Sequence, residues 1–139
     1  MKRVLGSIGV MILLILIGCG KEKSKEPEKP MLKAGDVQKI KSRIASGYYT
    51  VRDIEDDGNI VKVVIAFPPK PPADYMIANI ANETCENVVL YLGKTEFRGR
   101  GVWVTAIAID TSKVERTVGK SIYDPKTNKI EWQAAKKEG

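Results

Sequence analysis

The chain has 139 residues, with 23 Lys and Arg against 17 Asp and Glu, a formal charge of +6, and no histidine. The missing imidazole excludes Ser-His-Asp and Cys-His catalysis, histidine-ligated zinc and a histidine pH switch. No stripe of basic residues interleaved with aromatics marks a nucleic-acid-binding face, so nucleic acid is not an expected partner.

Lys2 and Arg3 precede an uncharged, mostly apolar run from Val4 to Ile17, and Gly18-Cys19 follows. A charged start, a short apolar core and a small residue at the cut are the parts of a secretory signal. The run is shorter than the roughly 20 residues that cross about 30 Å of hydrocarbon. Leu16-Ile17-Gly18-Cys19 resembles the lipobox of bacterial lipoproteins. That resemblance implies a diacylglycerol on the Cys19 thiol, cleavage before Cys19 and acylation of the new amino group. It also implies a protein held by lipid on the extracytoplasmic side of the cell membrane. Gly20 follows the cysteine where an Asp would favour retention, so in a Gram-negative envelope the resemblance implies the outer membrane.

Residues 1–18 are therefore expected to be a signal peptide, 19–33 a lipidated cysteine with a charged, Pro-containing flexible tether, and 34–139 a single domain. Lys21 to Pro30 contains only charges, one Ser and two prolines, with no apolar side chain to offset the entropy of ordering. Extended from Gly20 to Pro30 at ~3.1 Å per residue, it would reach roughly 34 Å. With Cys19 acylated, Cys85 has no internal partner and is expected as a small buried apolar group.

Asp36 to Ser46 reads as a short helix, capped by Asp36 and ended by Gly47, with Val37, Ile40 and Ile44 at helical spacing. Tyr48 to Glu55 and Asn59 to Phe67 read as strands joined through Asp57-Gly58. A two-residue loop there would set Ile54 opposite Val61, Val51 opposite Val64 and Asp53 opposite Lys62. The second strand is nearly all apolar and is expected inside the sheet. Pro68-Pro-Lys-Pro-Pro72 stops it. Ala73 to Leu92 reads as the main helix, with Ile77, Ile80, Ala81, Thr84, Val88 and Tyr91 on one stripe and Cys85 at its edge. Val88 to Leu92, β-branched and aromatic, also suits a separate short strand. Val102 to Asp110 is a strong strand with Trp103, Thr105, Ile107 and Ile109 on one face. Val118 to Tyr123 and Lys129 to Gln133 form a hairpin around Asp124-Pro-Lys-Thr-Asn128. The segment Ile122 to Ile130 resembles the terminal strand turn of PepSY-type domains, small modules of exported bacterial proteins; such turns occur in many folds and carry no activity with them. The sum is an α+β domain: a mixed or antiparallel sheet of about five strands packed on one long helix, with a short N-terminal helix.

No coherent catalytic set emerges. Asp53-x-Glu55-x-Asp57-Gly58 begins like an EF-hand loop, but the twelfth position is Val64 and both flanks read as strands, so no metal is expected. Asp110, Asp124 and Glu131 lie near strand ends, where carboxylates act only if they converge. The loop from Lys94 to Gly101 is the candidate contact surface. Its Lys94, Arg98 and Arg100 lead into Trp103, and Arg forks with glycine-exposed backbone N–H groups suit phosphate or carboxylate. A solvated connecting loop has the same composition. The expected protein is a lipid-anchored envelope lipoprotein, a non-catalytic binding or scaffolding module without cofactor. Its partners are the membrane, through Cys19, and an envelope protein or an anionic lipid or glycan. The alternatives are an envelope enzyme using carboxylates or Cys85, and a surface-exclusion lipoprotein.

Overall fold

The computed structural model describes residues 30–136, so the expected signal peptide, Cys19 and the expected tether up to residue 29 lie outside the described residues. The domain is α+β: α1 (Ala34–Ile44), β1 (Thr50–Asp56), β2 (Ile60–Phe67), α2 (Asp74–Leu92), β3 (Gly101–Ile109), β4 (Glu115–Asp124) and β5 (Lys129–Ala134). The five strands form one sheet in the order β1-β2-β3-β4-β5. It is mixed, because β2 and β3 run parallel while the other neighbours are antiparallel. Parallel neighbours cannot be joined by a tight turn, and α2 supplies the crossover between them. Among the described residues no helix is long and apolar enough to cross a membrane.

Alternation along the strands separates two faces. Val61, Val63, Ile65 and Phe67 of β2 and Val102, Val104, Ala106 and Ala108 of β3 are buried in one core with Ile77, Ala81, Cys85 and Val88 of α2. α1 packs beside α2 and adds Ile40 and Ile44 to that core. Tyr49 ties the two helices together. Its hydroxyl donates to the Ile44 carbonyl at 2.6 Å and lies 3.0 Å from Thr84 Oγ1, which donates to the Ile80 carbonyl. Val88 to Leu92 continue α2 instead of forming a strand. Val88 and Leu92 fall on its buried stripe, and that burial outweighs their β propensity.

Several boundaries differ from the sequence reading for identifiable reasons. α1 begins at Ala34, and Asp36 sits within its first turn, where its carboxylate accepts the Lys33 N–H at 2.9 Å. The β1–β2 register is shifted by two residues near the turn, so Ile54 faces Val63 and Asp56 faces Val61. Asp57 is the cause. Its carboxylate accepts the Asn59 and Ile60 N–H groups, which widens the turn beyond two residues. A bulge at Arg52 then alters the pairing again, placing Val51 opposite Ile65 and Asp53 opposite Val64. Pro30 to Lys33, expected as the end of the tether, are held by the domain: Arg100 Nη2 donates to the Pro30 carbonyl, and the Leu32 N–H donates to Asp56 Oδ2 at 2.9 Å.

Candidate functional site

Among the described residues no helix covers the second face of the sheet. Along β3 it presents Trp103, Thr105, Ile107 and Ile109, all half-buried, while the alternate residues point into the core. Trp103 pairs with Lys62 on β2 and with Ile122 on β4, and Lys120 lies one step further along β4, opposite Thr105. Both lysines reach back to the indole. Lys120 Nζ is 4.2 Å from the ring centroid and Lys62 Nζ is 5.3 Å. An ammonium over an indole face contributes on the order of 0.5–1 kcal/mol at an exposed site. The lysine stems shield the ring while their charges stay at the surface. Asp57 approaches Lys62 at 3.7 Å, so among the described residues Lys120 is the cation less neutralised by carboxylates. At the far end of the face, Arg52 of β1 meets Glu115 of β4 at 2.8 Å. Strands β2 and β3 lie between their strands, so this pair crosses the open face above two of its members.

The four residues of the anticipated contact surface do not act together. Lys94 and Arg98 are exposed on the loop after α2, Trp103 stands on the open sheet face, and Arg100 is buried. Arg100 forms an ion pair with Asp56 in which the two side chains are 5% and 4% exposed. Its second nitrogen holds Pro30, and its guanidinium lies 5.7 Å from the Phe97 ring centroid. Arg100 is therefore a structural clamp, already supplied with its anion. A desolvated arginine fork satisfied from within offers nothing to a ligand. The lysines that do flank Trp103, Lys62 and Lys120, were not singled out in the sequence because each reads as an ordinary polar position of a strand. Strand pairing alone brings them to the indole.

Burial by itself would raise the Asp56 carboxyl, but hydrogen bonds from Arg100 and from the Gly58 and Leu32 N–H groups outweigh it and hold the group below its ordinary value of 3.8. A carboxyl depressed in the folded state adds stability that is complete above the unfolded value and is lost as pH falls through the folded one. The melting-temperature advantage of the wild type over Asp56→Asn is accordingly expected to narrow below about pH 4. Thermal melts across pH 2–7 check this; a gap that is constant throughout contradicts it.

The remaining acids serve turns or stand apart. Asp110 accepts the Ser112 and Val114 N–H groups, and Asp124 accepts that of Lys126. Register places them at opposite ends of the sheet, since Tyr123 pairs with Val102 and Glu115 with Ile109. Glu131 pairs with Ile122 on the open face. Among the described residues no three acidic or thiol groups gather as a metal site. Cys85 is fully buried, and its Sγ donates to the Val102 carbonyl at 3.7 Å. Burial pushes its thiol up to about 11, so thiolate, the nucleophilic form, is scarce at neutral pH. In a Cys19→Ser background, Ellman's reagent is expected to leave the native protein unmodified and to titrate one thiol after denaturation. Rapid native reaction would contradict this.

Compared with known proteins, the chain matches no family model, no curated protein and no solved structure.

Proposed function

We propose that this protein is a lipid-anchored lipoprotein of the bacterial envelope and acts there as a non-catalytic binding module for an anionic partner. The observation that carries the reading is Leu16-Ile17-Gly18-Cys19 at the end of the apolar run from Val4. An acylated cysteine bears two or more chains, and each buried methylene contributes about 0.8 kcal/mol, so the anchor needs no help from the domain. In this reading one face of the sheet rests on the long helix, preceded by the short one, and the other face is left for the partner. Trp103 with Lys62 and Lys120 is its centre. Two ammonium groups held over one indole suit a phosphate or carboxylate better than a neutral surface.

Mass spectrometry of the native N-terminal peptide tests the anchor, with a diacylglyceryl thioether on Cys19 as the expected product. An unmodified thiol, or a leader still attached, overturns it. The binding face is tested with inorganic polyphosphate and the full chain in a zwitterionic detergent. The double variant Lys62→Gln/Lys120→Gln is expected to weaken binding about tenfold, equivalent to ~1.4 kcal/mol. Unchanged affinity removes this face from the account.

A further inference from the structure

A second site lies on the other side of the molecule, where α2 meets the β5 edge of the sheet. A groove of about 430 Å³ is lined there by Tyr75, Asn79 and Asn82 of α2 and by Trp132 of β5. It continues along α2 past Glu83 and Glu86 towards Ile130.

Three features make this groove specific. Trp132 is seated by an absent side chain, since a Cβ on Gly119 of β4 would lie 2.4 Å from the indole Cζ2 and 2.8 Å from its Cη2. The ring is thus pressed against the β4 backbone while still lining the groove. Asn82 is oriented from below. Ser121, fully buried, donates its Oγ–H to Asn82 Oδ1 at 2.6 Å. A planar amide whose oxygen faces the sheet turns its nitrogen, a double donor, the other way. Finally, Tyr75 is 70% exposed at the mouth, an aromatic surface that the fold does not cover. The charge pattern narrows the ligand. Asp74 is matched by Arg116 at 2.8 Å, and Glu83 and Glu86 stand at the open end, so a polyanion is disfavoured. Aromatic rings beside fixed amide donors and carboxylate acceptors are what a pyranose needs: its C–H face packs on a ring while its hydroxyls both accept and donate.

We infer that the α2–β5 groove binds an uncharged pyranose unit of a glycan, with Trp132 and Tyr75 as stacking surfaces and Asn79, Asn82 and Glu86 as hydroxyl partners. The site is distinct from the Trp103 face and does not depend on an anionic ligand there. Its encounter with a glycan does rest on the envelope location.

The test is a titration of the full chain, carrying Trp103→Phe, with chitotriose and with maltotriose. A zwitterionic detergent is used so that no detergent sugar competes. A saturable change in Trp132 emission is expected with at least one of the two, at sub-millimolar to millimolar concentration. Tyr75→Ala and Asn79→Ala, both exposed substitutions, are expected to weaken it at least fivefold without moving the melting temperature. Asn82→Asp, which keeps the oxygen for Ser121 and removes the donor, is expected to do the same. No saturable response to either sugar overturns the inference. So does binding that survives all three groove variants, or that is lost in Lys62→Gln/Lys120→Gln instead. Failure of the sugar titration leaves the Cys19 mass measurement unaffected, so the two readings fail separately.

Discussion

Replacing Arg100 with Met is expected to destabilise the domain by about 3–5 kcal/mol, because it strands a carboxylate that the fold has removed from water. Asp56 would keep the hydrogen bonds from the Gly58 and Leu32 N–H groups, at 2.9 Å each, but would lose its counter-charge. The Pro30 carbonyl would lose its donor as well. The consequence is local as much as global. Pro30 and Leu32 open the described chain, and both are held to the body by this pair. Hydrogen exchange at the Leu32 amide is expected to accelerate by at least tenfold in Arg100→Met. Urea denaturation supplies the free energy, and a loss under about 1 kcal/mol would contradict the assignment of Arg100 as a clamp. Arg100→Met/Asp56→Leu is expected to recover part of the stability, since an apolar pair removes the stranded charge. A double variant no better than either single one would show that the desolvated charge is not the source of the cost.

Gly119→Ala is expected to be nearly as damaging, at about 1–3 kcal/mol, for a steric reason. The added methyl would meet the Trp132 ring at 2.4 Å and the Gln133 carbonyl oxygen at 2.6 Å. The ring can rotate away. The carbonyl belongs to the neighbouring strand backbone and moves only if the β4–β5 ladder opens. Gly119→Ala/Trp132→Ala is therefore expected to relieve only part of the strain, leaving the ladder perturbed. Amide exchange along β5 in the two variants separates the ring from the backbone contribution. Full recovery on removing the indole would show that the carbonyl yields more easily than this geometry implies.

The sequence reading failed at Arg100 for a reason that applies beyond this protein. Arg98-Gly-Arg-Gly101 looks like a loop built to grip an anion, and one of its two arginines does grip one. The anion is Asp56, 44 residues earlier, and the second acceptor is Pro30, 70 residues earlier. Nothing local distinguishes an arginine that is free from one paired across the fold. Trp103 shows the opposite case. Its place on a strand face was legible from alternation, but Lys62 and Lys120 became its neighbours only through a parallel pairing with β2 and an antiparallel one with β4. Asn82 was legible only as a polar position of the long helix and Trp132 only as part of the last strand. That they line one groove was not legible, because the seat of the indole depends on a glycine whose missing Cβ matters only once β5 lies beside β4.

What the sequence by itself determined is local and mostly periodic. Apolar runs bounded by turn residues marked the strands, with alternation clear along β3, and helical spacing marked the helices, because these patterns are set by each residue's own neighbours in the chain. Val88 to Leu92 marks the limit of that reasoning, since short apolar runs satisfy both periods. The resemblance of Leu16-Ile17-Gly18-Cys19 to a lipobox, on which the proposed anchor rests, is similarly local, four consecutive residues. The tertiary structure alone decided the partners: the register set by Asp57 and the Arg52 bulge, the burial of Arg100, and the two lysines over Trp103. Those depend on distances between residues far apart in the chain, which no local pattern encodes.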